Sequence, residues 1–199
     1  RSRKYLQFTQ VPMNTFETLV LNEGILVDEF TPATGVIGNI LGATTGGIEF
    51  STNPTFIDFG EDIDNIPDGT KQLKRLKSFD PAMSGTFLTV DTATVKSLIG
   101  AADIGTSDTT KVIPRNQLVD ADFDDVWWVG DYSDKNVDVE STHTAGYIAI
   151  HLMNALNTAG FKITSSKDNK AQMAFEYHGH YDISNISTPP FEIYVKAGT

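Results

Sequence analysis

The chain contains no cysteine. That excludes disulfides, thiolate metal sites and a cysteine nucleophile, and with them a small secreted disulfide scaffold. No stretch approaches the roughly 18 apolar residues of a membrane-spanning helix, and the first residues do not read as a secretory leader. No membrane contact is expected. Basic charge is also scarce: 15 Lys and Arg face 26 Asp and Glu, a formal net charge of −11. Non-specific phosphate binders gain affinity by neutralising phosphates, so tight nucleic-acid binding is not expected. An anionic wall suits a nucleic acid that must pass without sticking. The familiar chemical signatures are missing too. There is no G-x-x-x-x-G-K-[ST] or G-x-G-x-x-G loop, no G-x-S-x-G elbow and no H-E-x-x-H pair.

The 199 residues, 40% of them hydrophobic, suit one soluble globular domain. A domain of this size buries roughly 70% of its unfolded surface. The basic start RSRKYLQFTQVP differs in character from the rest of the chain. Residues 1–12 read as an N-terminal extension or a remnant placed before Met13, and residues 13–199 as a single β domain. Without Arg1, Arg3 and Lys4, 12 basic residues face 26 acidic ones, a balance of −14.

Helix signals are few. In Asp91-Thr-Ala-Thr-Val-Lys-Ser-Leu-Ile-Gly100, Asp91 or Thr92 can cap the start and Gly100 the end. Val95, Leu98 and Ile99 form one apolar stripe, so a helix is expected over 92–102. Elsewhere short alternating runs are broken by turn residues. Strands are expected from Phe16 to about Gly24, at 47–53, 55–60, 86–90, 126–132, 147–152, 161–164, 172–181 and 191–196. The predicted fold is mainly β: an antiparallel sandwich or barrel with one flanking helix and an extended loop or hairpin arm.

Two segments read as excursions. PATGVIGNILGATTGG, residues 32–47, holds five glycines and apolar anchors at Val36, Ile37, Ile40 and Leu41. GEDIDNIPDGTKQLKRLKSFD, residues 60–80, turns from acidic to basic at Pro67-Asp68-Gly69, a turn in which Pro presets φ and Gly accepts positive φ. It predicts a hairpin with Glu61, Asp62 and Asp64 on one leg and Lys71, Lys74, Arg75 and Lys77 on the other. Such opposite charges suit contact between copies.

Candidate chemistry is thin. His178 and His180 in FEYHGHYD share a face if the strand is extended, but they supply two ligands where a metal site needs three or four. Asp182 lies about 7 Å beyond His180 by strand rise, and His143 and His151 are the other histidines. Glu61 to Gly69 fails the EF-hand spacing: counted from Asp64, position 3 is Ile66 and position 12 is Arg75. Asp120, Asp122 and Asp124 share a face if extended, without an apolar pocket to raise one pKa. Trp127 and Trp128 face opposite sides of a strand, so at most one is core and the other is exposed or at an interface.

Several stretches together carry a family likeness: the hairpin PDGTKQLKRL, Ser84-Gly-Thr-Phe-Leu-Thr-Val, the helix end LIGAADI, the run GYIAIHLMNALNTAGFKITSSKDNKAQMAFEYHGHYDIS, and the closing PPFEIYVKAG. Over residues 14 to 198 the chain resembles the tail tube (major tail) proteins of long-tailed bacteriophages and derived prophages. The resemblance implies a self-assembling, non-enzymatic subunit whose hexameric rings stack into a hollow tube that conducts DNA without specific binding. It also implies contacts with terminator, tape-measure and tail-tip proteins, assembly in the host bacterial cytoplasm, a place in the virion, and no cofactor, metal or catalytic residue. The excursions at 32–47 and 60–80 would then be inter-subunit contacts, with Trp127, Trp128, His178 and His180 exposed or at an interface. A carbohydrate- or surface-binding sandwich and a metal enzyme using His178 and His180 are the alternatives.

Overall fold

The computed structural model describes residue 12 and residues 19–132 and 146–197. The expected extension (Pro12 aside), the strand start at Phe16 and His143 lie outside the described residues. The elements run in chain order as β1 (Val20–Val27), β2 (Phe30–Thr31), β3 (Val36–Ile37), β4 (Thr44–Ser51), β5 (Pro54–Asp58), β6 (Lys74–Phe79) and β7 (Ala82–Phe87). Helix α1 (Thr92–Ile99) comes next, then β8 (Ala102–Ile104), β9 (Val112–Pro114), β10 (Asp124–Tyr132), β11 (Tyr147–Asn157), β12 (Met173–His178) and β13 (Phe191–Lys196). The fold is mainly β, as expected, with one α-helix among the described residues.

Seven strands form one antiparallel sheet. Its path is β1-β10-β11-β12-β7-β4, and β13 joins the first half of β11. β1 and β4 lie against each other, so the sheet nearly closes into a barrel. Alternation decides which side chains enter it. On β12, Met173, Phe175 and Tyr177 are buried and Ala174 and Glu176 are exposed. They meet Leu26, Met83, Phe87, Leu98, Val126 and Leu152 in the main core. The opposite face of β1, β10 and β11 carries a smaller cluster of Val27, Phe30, Trp127 and Ala149. Strand β2 supplies Phe30 to cover it.

Strand β11 changes partner part-way. Tyr147–Leu152 pair with β13, whereas Leu156 and Asn157 pair with β12. At the change Asn154 takes φ 48, and its amide donates to Asp125 (3.0 Å). Helix α1 plugs one part of the barrel with Leu98. Asp91 caps it by accepting from the Thr94 amide (2.7 Å), and Gly100 at φ 86 ends it. The buried Asn157 side chain ties the helix to the sheet, donating to the Leu98 carbonyl (2.7 Å) and accepting from the Glu176 amide (2.8 Å).

Several local expectations are corrected. The strand expected at 86–90 lies at Ala82–Phe87, because it pairs there with β12 and β4. Residues 161–164 form no strand beyond an isolated bridge at Thr164. β1 continues past Gly24 through a register shift, β11 runs on to Asn157, and the helix ends at Ile99. Asp120–Asp122 form a 3-10 turn, so they make no extended carboxylate face. Asp122 is buried and accepts from Arg115 (2.5 Å) and the Val119 amide (2.9 Å). Burial opposes its charge, but these two donors outweigh burial and hold its pKa low.

Candidate functional site

The 60–80 excursion is a hairpin arm, but its legs differ from the expected ones. The paired legs are β5, reading PTFID, and β6, reading KRLKSF. Glu61, Asp62 and Asp64 lie in the loop between them, so no acidic leg faces a basic one. Among the described residues, no salt bridge joins these acids to Lys71, Lys74, Arg75 or Lys77. The loop is ordered from inside: Asp58 accepts from the amides of Gly60 (2.8 Å) and Gly69 (2.7 Å). At Gly69 φ is 80, which the glycine of the Pro-Asp-Gly turn permits.

Among the described residues this arm is a two-stranded sheet of its own, unjoined to the barrel strands. Away from its root, where Phe79 meets Phe191, its apolar side chains therefore lack a core. Phe56 and Leu76, directly opposite across the pair, are 53% and 48% exposed, and Phe59 at the loop is 60% exposed. Lys74 sits 5.3 Å over the Phe56 ring. All seven charged candidates of the arm are exposed. The result is an exposed Phe56–Leu76 pair with Lys74 over it, Phe59 exposed at the loop, and Arg75 and Lys77 bordering Leu76 along β6.

The arm's root is built differently. The Asp80 amide donates to the Asn53 carbonyl (3.3 Å), and the Asn53 side chain returns a bond to the Asp80 carbonyl (3.1 Å). The Phe79 amide donates to the Tyr181 hydroxyl (2.9 Å), and Phe79 meets Phe191 edge-on at 5.2 Å. His178 sits at this root. Its Nδ1 lies 2.7 Å from Asp80 and its Nε2 3.0 Å from Glu176. Burial pulls the His178 pKa down, but the hydrogen bonds to Asp80 and Glu176 and their charges outweigh it and raise the pKa.

His180 is placed elsewhere. β12 ends at His178, and His180 lies where β11 changes partner, its Nδ1 3.0 Å from the Asn154 carbonyl and its ring edge-on to Phe123. The two histidines have separate partners and do not converge. Among the described residues, no group of three His, Cys, Asp or Glu is placed to hold a metal.

The tryptophans face opposite sides of β10, as expected, but both faces are covered. Trp127 is 7% exposed and stacks on His151 at 3.9 Å. This corrects its placement as an exposed residue. His151 in turn meets Asp125 at 2.9 Å, a bond that leads the causes holding the Asp125 pKa low. Trp128 is half-buried against the main core and donates from Nε1 to the Glu23 carbonyl (3.0 Å). Its indole fills a slot beside Gly24 and Gly130, where an added Cβ would come within 2.3 Å and 2.5 Å of it.

The 32–47 excursion divides in two. Val36, Ile37 and Ile40 are exposed, around the short β2–β3 hairpin. Leu41 instead packs on the main core and donates its amide to Leu26 (2.9 Å), so it is an anchor and not a free contact.

A cleft of about 510 Å³ opens beside α1. Asp28, Asp91, Asp124 and Asp125 line it with Ser97 and Tyr177. Three of the four carboxylates are tied up structurally: Asp28 with Asn39, Asp91 as the helix cap, Asp125 with His151 and Asn154. Tyr177 shares a hydrogen bond with Ser97, and burial raises its pKa. A buried phenol further from ionising, beside occupied carboxylates, is a poor acid–base pair.

The arm's root is marked in the sequence only by Asn53-Pro54 and Asp80-Pro81 at its two ends. X-Pro steps disfavour regular continuation, but they do not show what the ends touch. Phe56 and Phe59 read in the sequence only as strand residues, because alternation does not reveal which face lacks a cover. No protein-family model and no curated protein matches the chain.

Proposed function

We propose that this chain is a structural, self-assembling subunit of the phage tail-tube kind, whose hexameric rings stack into a conduit for DNA in the virion. One observation carries the reading: an ordered arm with Phe56, Phe59 and Leu76 exposed and no core of its own among the described residues. A lone two-stranded hairpin is marginal in water, and several large apolar side chains exposed on one such arm suit a protein contact. Its basic border suits the surface of another copy, because the chain as a whole carries −11. Arm to body is a head-to-tail contact, the type that propagates into rings and filaments. The same net charge favours passage of a polyanion over its capture. Terminator, tape-measure and tail-tip proteins would be further partners, as the resemblance implies.

No observation favours the alternatives. A sugar platform needs an exposed indole, but Trp127 is buried and Trp128 is pinned to Glu23. A metal enzyme on His178 and His180 needs side chains that converge.

Electron microscopy of the concentrated protein, with and without residues 1–12, tests the proposal. Rings or filaments are expected. A protein that stays monomeric at every concentration in both forms overturns it.

A further inference from the structure

His178 contacts a carboxylate with each ring nitrogen. Asp80 belongs to the connector between β6 and β7, and Glu176 to β12 itself. A neutral imidazole carries one N–H donor and one lone pair. With a neutral ring, one carboxylate would therefore face a lone pair at about 3 Å, a repulsive contact. Only the imidazolium donates on both sides at once. The side chain is 18% exposed, so water only partly relieves that repulsion.

We propose that His178 is a pH-sensitive latch that fixes the root of the β5–β6 arm to the barrel when protonated and loosens it when neutral. Location makes the latch effective. Asp80 is where the arm leaves the barrel, next to Phe79 and bonded by its backbone to Asn53 on the other leg. The remaining ties are insensitive to this proton: the Asn53–Asp80 bonds, the Phe79 amide on Tyr181, and the Phe79–Phe191 contact. Among the described residues, the surroundings of the ring add no second cation. β7 presents Ala82 opposite it, with Ser51 of β4 beyond, and β11 presents Leu156. The next charge by register is Glu49 on β4, across Ser84 from Glu176. All the neighbouring charges named are negative, which favours the protonated ring. Its raised pKa agrees with this. The latch is therefore complete below the ordinary histidine value and is lost as pH rises through the higher folded value. It would act on the arm whether or not the arm serves assembly.

Amide hydrogen exchange of the full chain at a concentration where it is monomeric, corrected for the intrinsic pH dependence of exchange, tests the latch. Protection over 54–79 should fall about fivefold from pH 5.5 to pH 8.5, the scale of a partly exposed ion pair, while α1 stays constant. His178→Gln should show low, pH-independent arm protection, and His178→Lys should restore high protection across the range. Asp80→Asn, which keeps the backbone bonds to Asn53, should abolish the pH dependence as well. Arm protection that does not vary with pH in the native chain overturns the proposal. So does the same pH dependence in His178→Gln or Asp80→Asn.

Discussion

The barrel and the arm are written in the same β alphabet, yet they end in opposite environments. On β12, Phe175 and Tyr177 alternate with polar neighbours and are 2% and 3% exposed. On β6, Leu76 lies between Arg75 and Lys77, and it and its cross-strand partner Phe56 on β5 stand half in water. Local pattern is thus shared and cover is not. In the barrel, β7, β10 and α1 supply side chains that close over the inner face. The arm's two strands pair only with each other among the described residues, and beyond the Phe79–Phe191 contact at the root Phe56, Phe59 and Leu76 stay exposed. The apolar groups of the barrel stabilise the fold, whereas those of the arm remain available for binding. Substitutions in the two regions should therefore act on different measurements.

The largest effect on stability is expected in the barrel. Phe175→Ala removes a ring that lies 4.5 Å from Phe87 and also meets Tyr177. Such a cavity costs about 3–5 kcal/mol and should lower the melting temperature by roughly 10 °C, read by calorimetry. A loss below about 1 kcal/mol would mean that the barrel core is no better covered than the arm. Gly24→Ala comes next. Its φ is 70, and the new methyl would meet the Trp128 indole at 2.3 Å. Strain and overpacking together should cost about 2 kcal/mol and blue-shift or broaden the Trp128 emission.

These contrasts also show what could be read from the sequence. Asp91 and Gly100 bracket the helix through local hydrogen bonds and a positive φ, so its start was legible, whereas the end expected at 102 falls at Ile99, just before Gly100. Alternation identified the strand residues of β12 and β13. Three features were not legible, and each depends on contacts distant in sequence. β7 is set by pairing with β12, roughly 90 positions away, and its stretch AMSGTF has only a weak alternation of its own. The continuation of β11 to Asn157 depends on a partner change at Asn154. The charge layout of the arm depends on where β5 and β6 pair, and that pairing leaves the acids in the loop. Among the candidate contacts, Val36, Ile37, Ile40 and the arm's charges lie on the surface, where the sequence puts them. Leu41 and Trp127 do not, since burial of a single apolar residue is decided by what folds over it.

A smaller stability effect is expected at the helix cap. Asp91→Ala should cost about 1 kcal/mol. The Asp91 carboxyl is held below its ordinary pKa chiefly by the Thr94 amide. A depressed folded pKa stabilises above the unfolded value and is lost as pH falls through the folded one. The difference in urea stability between the native chain and Asp91→Ala should therefore be full at pH 7 and shrink below about pH 4. A difference independent of pH would place the effect in helix propensity and not in the cap.

The smallest effect on the isolated chain, and the largest on assembly, is expected in the arm. Phe56→Ser with Leu76→Ser breaks an exposed cross-strand pair. Exposed substitutions away from a core change stability by about 0.5 kcal/mol or less, so the melting temperature of the monomer should barely move. Ring or filament formation, followed by light scattering and electron microscopy, should be lost. The paired substitution in the barrel, Phe175→Ala, should behave in reverse: a less stable monomer that still assembles below its melting temperature. If the double arm variant assembles like the native chain, the exposed pair is not the contact surface, and the comparison between covered and uncovered alternation loses its functional meaning. If it destabilises the monomer as much as Phe175→Ala does, the arm folds back on the barrel in solution, and its apolar groups belong to the core after all.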